Sequence, residues 1–175
     1  NGLPIGTLIC DEDELVEQQV VTGIAYAKDE AQISLRRVAD RPGVSAGIFG
    51  PLAEANINVD MIVQNITEDG ATTDLTFTVS RDQLQRALKI LEGIKPDVGW
   101  REVVSASDVV KVSIVGVGMR SHVGVAQTMF RALAEKGINI QVITTSEIKV
   151  SVLISADYKE LAVRALHTAF GLDAA

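Results

Sequence analysis

Few residues of this chain are equipped for covalent chemistry. His122 and His167 fall in different expected elements and at no metal-ligand spacing, and Cys10 has no second thiol to pair with. No phosphate-cradling loop, nucleophile elbow or paired-histidine zinc signature occurs. Gly116-Val117-Gly118 lacks the third glycine and the downstream acid of a dinucleotide fingerprint. What remains is the chemistry of recognition. Asp40-Arg41-Pro42-Gly43 stands just before an apolar helical pattern, and Pro42 suits a first helical turn. Taken alone, Asp40 reads as the N-cap. Free N–H groups at such a turn, at the positive end of a helix dipole, also bind a carboxylate. The counterpart turn, Arg120-Ser121-His122-Val123-Gly124, offers Ser121 as its cap and His122 as a loop residue. Polar residues end otherwise apolar strands: Gln64 and Asn65 in one place, Thr145, Ser146 and Glu147 in another. Such groups must meet solvent, backbone or a ligand. A carboxylate-binding turn beside strand-end amides and carboxylates matches the two charges of a free amino acid. Asn58 and Asn139, each taken singly, read as turn residues.

These features recur because one unit is written twice. Residues 33–65 lie on 114–146 without a gap, with Ile33/Ile114, Gly43/Gly124, Val44/Val125, Phe49/Phe130, Leu52/Leu133, Ala53/Ala134, Glu54/Glu135, Ile57/Ile138, Asn58/Asn139 and Ile62/Ile143 identical. Each copy opens on a β-branched run (32–38; 111–117), followed by a glycine-containing turn. A helix comes next, spaced Val44, Ile48, Leu52 in one copy and Val125, Met129, Leu133 in the other. Asn56 and Gly137 stand where a left-handed residue ends each helix. Two strands follow (59–64 and 72–79; 140–145 and 149–155), then a second helix (81–92; 157–170). The hairpin through Thr67-Glu68-Asp69-Gly70-Ala71 is longer than its counterpart. The order β-α-β-β-α lacks one strand of the ferredoxin-like split βαβ pattern. Residues 99–105 supply it for copy one. Copy two runs out at Gly171-Leu172-Asp173-Ala174-Ala175, so the leftover strand 20–27 is expected to complete it. The predicted fold is therefore α+β: two βαββαβ units with four-stranded antiparallel sheets and helices on one face, the first inserted within the second.

At 47% apolar and 22% charged residues, the chain is expected to bury a core rather than stay disordered. A net charge of −7 and only 4% aromatic residues disfavour binding to phosphate backbones or stacked bases. No apolar run suits a membrane span and no exported leader is evident, and the lone Cys10 fits a reducing, cytoplasmic setting. The acidic start NGLPIGTLICDEDELVEQQ, without a methionine, reads as part of a longer polypeptide or a processed product.

Longer strings are specific enough to suggest a family. VVTGIAYAKDEAQISL, RPGVSAGIFGPLAEANINVDMIVQN, TTDLTFTV, KVSIVGVGMRSHVGVAQTMFRALAEKGINIQVITTSEIKVSVLI and RALH resemble the regulatory part of lysine- and threonine-sensitive aspartate kinases, built from tandem ACT domains. The resemblance implies a linker over 1–19, a first ACT domain over 30–107, and a second from 20–29 plus 108–175. The catalytic domain of that family, with its KFGG-type signature and its ATP, has no counterpart here. The chain thus resembles either a separate small regulatory subunit or the C-terminal half of a full kinase, inactive alone.

The same resemblance implies feedback control of aspartate phosphorylation by end-product amino acids, in a homodimer that also engages a catalytic subunit or domain. Threonine would lie where the first repeat of one copy meets the second repeat of another. Asp40 and Gln64 would hold its polar groups, Gly43 and Ser45 would form the wall of the turn, and Thr73 and Asp74 would lie nearby. Asn139 and Ile140 would come from the partner. A pseudo-equivalent site of Met119, Ser121, His122, Gly124, Ser146 and Glu147 would take lysine, with Glu147 facing the cation. No catalytic residue, metal or cofactor is expected, and neither nucleic acid nor membrane is an expected partner. Two other readings stay open: an amino-acid-sensing subunit of a different biosynthetic enzyme, and a ligand-free pairing module.

Overall fold

Alternation along the strands sets the architecture. Ala31, Ile33, Leu35 and Val38 are buried while Gln32 and Ser34 between them are only partly so, which gives the first long strand one apolar face. The structure, a computed structural model, describes residues 23–116, 122–146 and 148–172. Its strands are β1 (Gly23–Ala39), β2 (Val59–Ile66), β3 (Thr72–Ser80), β4 (Glu102–Val115), β5 (Val142–Thr145) and β6 (Lys149–Ser155). Its helices are α1 (Val44–Glu54), α2 (Leu84–Val98), α3 (His122–Glu135) and α4 (Lys159–Ala169). The described residues divide into two compact units, Ala27–Val110 in the first, and 23–26 with the described part of 111–172 in the second.

In the first unit the strand order is β2-β3-β1-β4. β3 pairs antiparallel with both β1 and β2. Helices α1 and α2 pack on each other over one face, where Ile33, Leu35, Ile48, Leu52, Leu75, Phe77 and Leu91 form the core. Phe49 meets Phe77 edge to face, with ring centroids 5.2 Å apart. In the second unit the order is β4-β6-β5, and α3 packs on α4. Lys159, at the start of α4, lies 4.3 Å over the Tyr26 ring of β1.

Six strands are found among the described residues, where the sequence suggested eight in two separate sheets. Segments 20–27 and 32–38 fall in one strand as far as they are described, and 102–105 of the segment 99–105 share β4 with 111–115 of the segment 111–117. Neither junction, Lys28-Asp29-Glu30 or Ala106-Ser107-Asp108, holds a glycine or proline to break an extended backbone. Helix α2 also outruns its expected end at residue 92. It tolerates Pro96 in its last turn and stops at Gly99, which takes φ 85°. The first residues of the expected strand 20–27, the linker 1–19 and Cys10 lie outside the described residues.

Both first helices end as their sequences suggest. Asn56 and Gly137 adopt φ 60° and 72°. Ile57 N–H donates to Leu52 O at 2.9 Å and Asn56 N–H to Ala53 O at 3.0 Å. Ile138 N–H and Gly137 N–H repeat the pattern on Leu133 O and Ala134 O. These paired bonds form Schellman caps, and each launches the chain toward its next strand. Asn56→Ala should cost about 1 kcal/mol, because an alanine in the left-handed region carries a Cβ clash that asparagine offsets better. Asn56→Gly should keep or raise stability. Urea denaturation midpoints of the two variants check this.

Candidate functional site

The turn that leads into α1 is built on backbone rather than on a capping side chain. Gly43 precedes the helix at φ 87°, and no side chain caps it. Asp40 is therefore not the N-cap: it lies three residues before Gly43, which holds that position, and its own N–H donates to Ala71 O at 3.1 Å. Val44 N–H closes the turn on Arg41 O at 3.3 Å, and Gly47 N–H reaches Gly43 O at 3.0 Å. A Cβ on Gly43 would meet nothing within 4 Å, so glycine serves here for its left-handed φ alone. The first-turn N–H groups of α1 have no intrahelical acceptor and carry the positive end of its dipole. Asp40, Gly43 and Ser45 are all exposed there.

Register decides which strand-end polar groups share that face. Directly opposed residues of an antiparallel ladder point the same way. Gln64 opposes buried Leu75, so it points to the helix-covered face, at the edge of the sheet. Thr73 opposes Val38 on the same face, is 3% exposed, and donates from Oγ1 to Asn65 O at 2.9 Å. Asn65 opposes Asp74, and both face the other way. Asp74 Oδ1 accepts the N–H of Arg37 at 2.9 Å, at a bulge where Arg37 takes φ 55°. Gln64 thus faces the side of the sheet that α1 covers, the helix that the exposed turn Asp40–Gly43 leads into, while Asp74 is occupied on the other.

In the second unit, Asn139 is exposed and Ile140 half-buried, between the cap at Gly137 and the start of β5 at Val142. His122 is the first residue of α3 and Gly124 its exposed third. Ser146 N–H donates to Lys149 O at 2.7 Å in the tight β5–β6 connection. Met119, Ser121 and Glu147 lie outside the described residues. Among the described residues, no group of three or more His, Cys, Asp or Glu is placed to hold a metal. No helix among them is long and apolar enough to cross a membrane.

Two open cavities lie in the first unit. One, of about 490 Å³, runs beside α1 and β2 along Phe49, Ala53, Asn58 and Ile62. The other, of about 400 Å³, is bordered by Arg36, Arg37, Thr67, Asp74 and Arg101. Asp74 is the one expected site residue among their linings. Beside the second cavity, Asp69 organises the long hairpin. Its Oδ1 accepts from Thr67 Oγ1 at 2.6 Å and from the N–H groups of Ala71 and Thr72 at 2.9 Å, and its Oδ2 meets Arg37 Nη1 at 3.0 Å. This cluster is not among the site residues expected from the sequence. Asp69-Gly70 between two threonines is the signal that would have found it, since aspartate readily closes such turns.

Residues 32–95 and residues 112–170 each match the ACT domain. An aspartate kinase of Stutzerimonas stutzeri is 58% identical over 170 residues, which is 97% of this chain and 41% of that protein. A crystal structure of aspartokinase alpha and beta subunits holds a chain 55% identical, with a TM-score of 0.81, covering 87% of this chain and 99% of that one. The ligand-free regulatory subunit of aspartate kinase from Thermus thermophilus is 45% identical, with a TM-score of 0.80 over 86% of this chain and 99% of its own. The chain belongs to the aspartokinase family and carries its regulatory ACT region. The first ACT match takes in the turn 40–43 and Gln64, and the second takes in Gly124, Asn139 and Ser146. This chain spans about two fifths of the length of the curated kinases it matches.

The hydrogen bond from Thr67, with those from Ala71 and Thr72, holds the Asp69 carboxyl well below the usual carboxylate range despite some desolvation. A folded-state pKa lowered in this way adds stability that is present above the unfolded value and is lost as pH falls through the acid range below about 4. Asp69→Asn should therefore lower stability at neutral pH and flatten its acid dependence. Thermal melts of both proteins between neutral and acid pH test the expectation.

Proposed function

We propose that this chain is the effector-sensing part of an aspartate kinase, and that it binds threonine where the first ACT domain of one copy meets the second ACT domain of another. The observation that carries this reading is that Asp40, Gly43 and Ser45 are exposed at the entry to α1 and Gln64 is exposed on the sheet face that α1 covers, all in neither cavity. That set makes half a site. First-turn N–H groups of α1 would take the ligand carboxylate, the Asp40 carboxylate its ammonium, and the Gln64 amide either. Asn139 and Ile140 of the second copy would close the seam.

Edge strands support such pairing. β2 and β5 each end their unit's strand order, and Ile62 and Ile143, at the same position of the repeat, are 51% and 44% exposed. An uncovered edge with apolar side chains is a template for another strand. The division at Tyr26 and Val110 is consistent with a first ACT domain (30–107) inserted in the second (20–29 plus 108–175), after a linker 1–19. The pseudo-equivalent turn, with Met119, Ser121, His122, Gly124, Ser146 and Glu147, would take lysine through Glu147. ATP and the aspartate substrate would bind a catalytic subunit or domain, in the cytoplasm, and this chain alone would transfer no phosphoryl group.

The mechanism is linkage: a ligand bridging two copies shifts the equilibrium only by its preference for the closed seam. Ligand at 100 times its dissociation constant adds about 2.7 kcal/mol to the bound state. Calorimetry of the chain with threonine and with lysine should show binding. Asp40→Ala should weaken threonine at least about tenfold, the loss of one charge-assisted contact, with the melting temperature of the free chain kept. A folded dimer indifferent to both amino acids would leave a pairing module in place of a sensor.

A further inference from the structure

We infer that Arg41 is a positioning residue for the amino-acid site, fastening the turn before α1 to the C-terminal end of α2. The inference rests on the amino-acid-binding reading above. Within Asp40-Arg41-Pro42-Gly43, Arg41 is, among the described residues, the one whose side chain is hydrogen-bonded to another element. Its Nη2 donates to Asp97 O at 3.1 Å and to Val98 O at 3.3 Å. Those carbonyls belong to the last turn of α2, where carbonyls have no intrahelical donor and the helix dipole is negative. A guanidinium placed there satisfies two acceptors with one nitrogen and gains from the dipole as well.

The rest of the turn offers no such hold. Pro42 has no N–H, Gly43 has no side chain, and Asp40 keeps an exposed carboxylate. Backbone bonds hold the upstream flank, Ala39 N–H to Gly99 O at 3.4 Å and Asp40 N–H to Ala71 O at 3.1 Å, and close the turn itself, Val44 N–H to Arg41 O at 3.3 Å, while Arg41 supplies the side-chain tie to α2. Helix α1 already touches the end of α2, since a Cβ on Gly47 would lie 3.4 Å from Val98 Cγ2. With Arg41 in place, the first-turn N–H groups and the Asp40 carboxylate keep one spacing before the ligand arrives. Without it, the turn must be ordered when the ligand binds, and affinity falls by that cost.

Arg41→Met keeps length and removes the donor, while Arg41→Lys restores one charged nitrogen, all that the two carbonyls use. In the full chain, Arg41→Met should weaken threonine about tenfold, the scale of one charge-assisted hydrogen bond. The amides of Asp40 and Val44 should exchange with deuterium about tenfold faster without ligand, and those of β3 at the wild-type rate. Arg41→Lys should recover most of both effects. Threonine affinity equal to wild type in Arg41→Met would overturn the role. Weaker binding with unaltered exchange would make Arg41 a direct ligand and overturn it as well. A wild-type chain that binds neither threonine nor lysine sinks the functional reading instead, an outcome visible before any variant is compared.

Discussion

Burial of Ile33, Leu35, Leu75 and Phe77 beneath Ile48, Leu52, Leu84 and Leu91 settles which side of each strand faces the helices of the first ACT domain. Each such side chain contributes roughly 1.5–3 kcal/mol, more than a single polar contact at the rim. The core therefore dictates and the rim follows. Because side chains alternate, the register that buries Leu75 also turns Gln64 toward α1 and Asn65 away from it. One residue of slippage would reverse both, and with them the polar groups available beside the turn 40–43.

That constraint explains why the proposed half-site is open. A turn at the end of a sheet, reached by an edge strand, has protein on one side and solvent on the other. Asp40, Gly43 and Ser45 at the turn and Gln64 on the edge strand are all exposed. An enclosed pocket would bind its ligand within one chain and report nothing about assembly. Under the proposed reading, a half-site completed by a second copy would make occupancy and association the same event, which is what a regulatory domain requires of its ligand.

The two ACT domains have diverged where the repeat leaves them room. In the second, Ser146 and Lys149 close a tight connection between β5 and β6. In the first, the longer hairpin is organised around Asp69, whose carboxylate gathers Thr67, Ala71, Thr72 and Arg37. Arg37 in turn occupies Asp74 through its backbone N–H. The same fold thus presents a hydrogen-bonded, charged hairpin in one copy and a short polar turn in the other. Ligand preference would then differ between the two proposed sites although the fold is the same.

Much of this was legible from residue order. The doubled unit, its β-α-β-β-α sequence and the left-handed helix ends at Asn56 and Gly137 depend on local pattern, and local pattern is what a sequence carries. Gln64 could be marked as a polar group ending an apolar strand for the same reason. Other features depend on partners far along the chain. Arg41 finds Asp97 and Val98 across 56 and 57 residues, and Arg37 finds Asp69 across 32. Asp40 looked like a cap until packing set the start of α1 at Val44 and left Gly43 to lead it. Two strands each ran through a polar stretch that resembled a break, since pairing along a ladder can hold Lys28-Asp29-Glu30 extended where propensity alone would not. Periodicity and turn chemistry act within a few residues, whereas side-chain partners, strand ends and the facing of each polar group are settled only when distant segments bury one another.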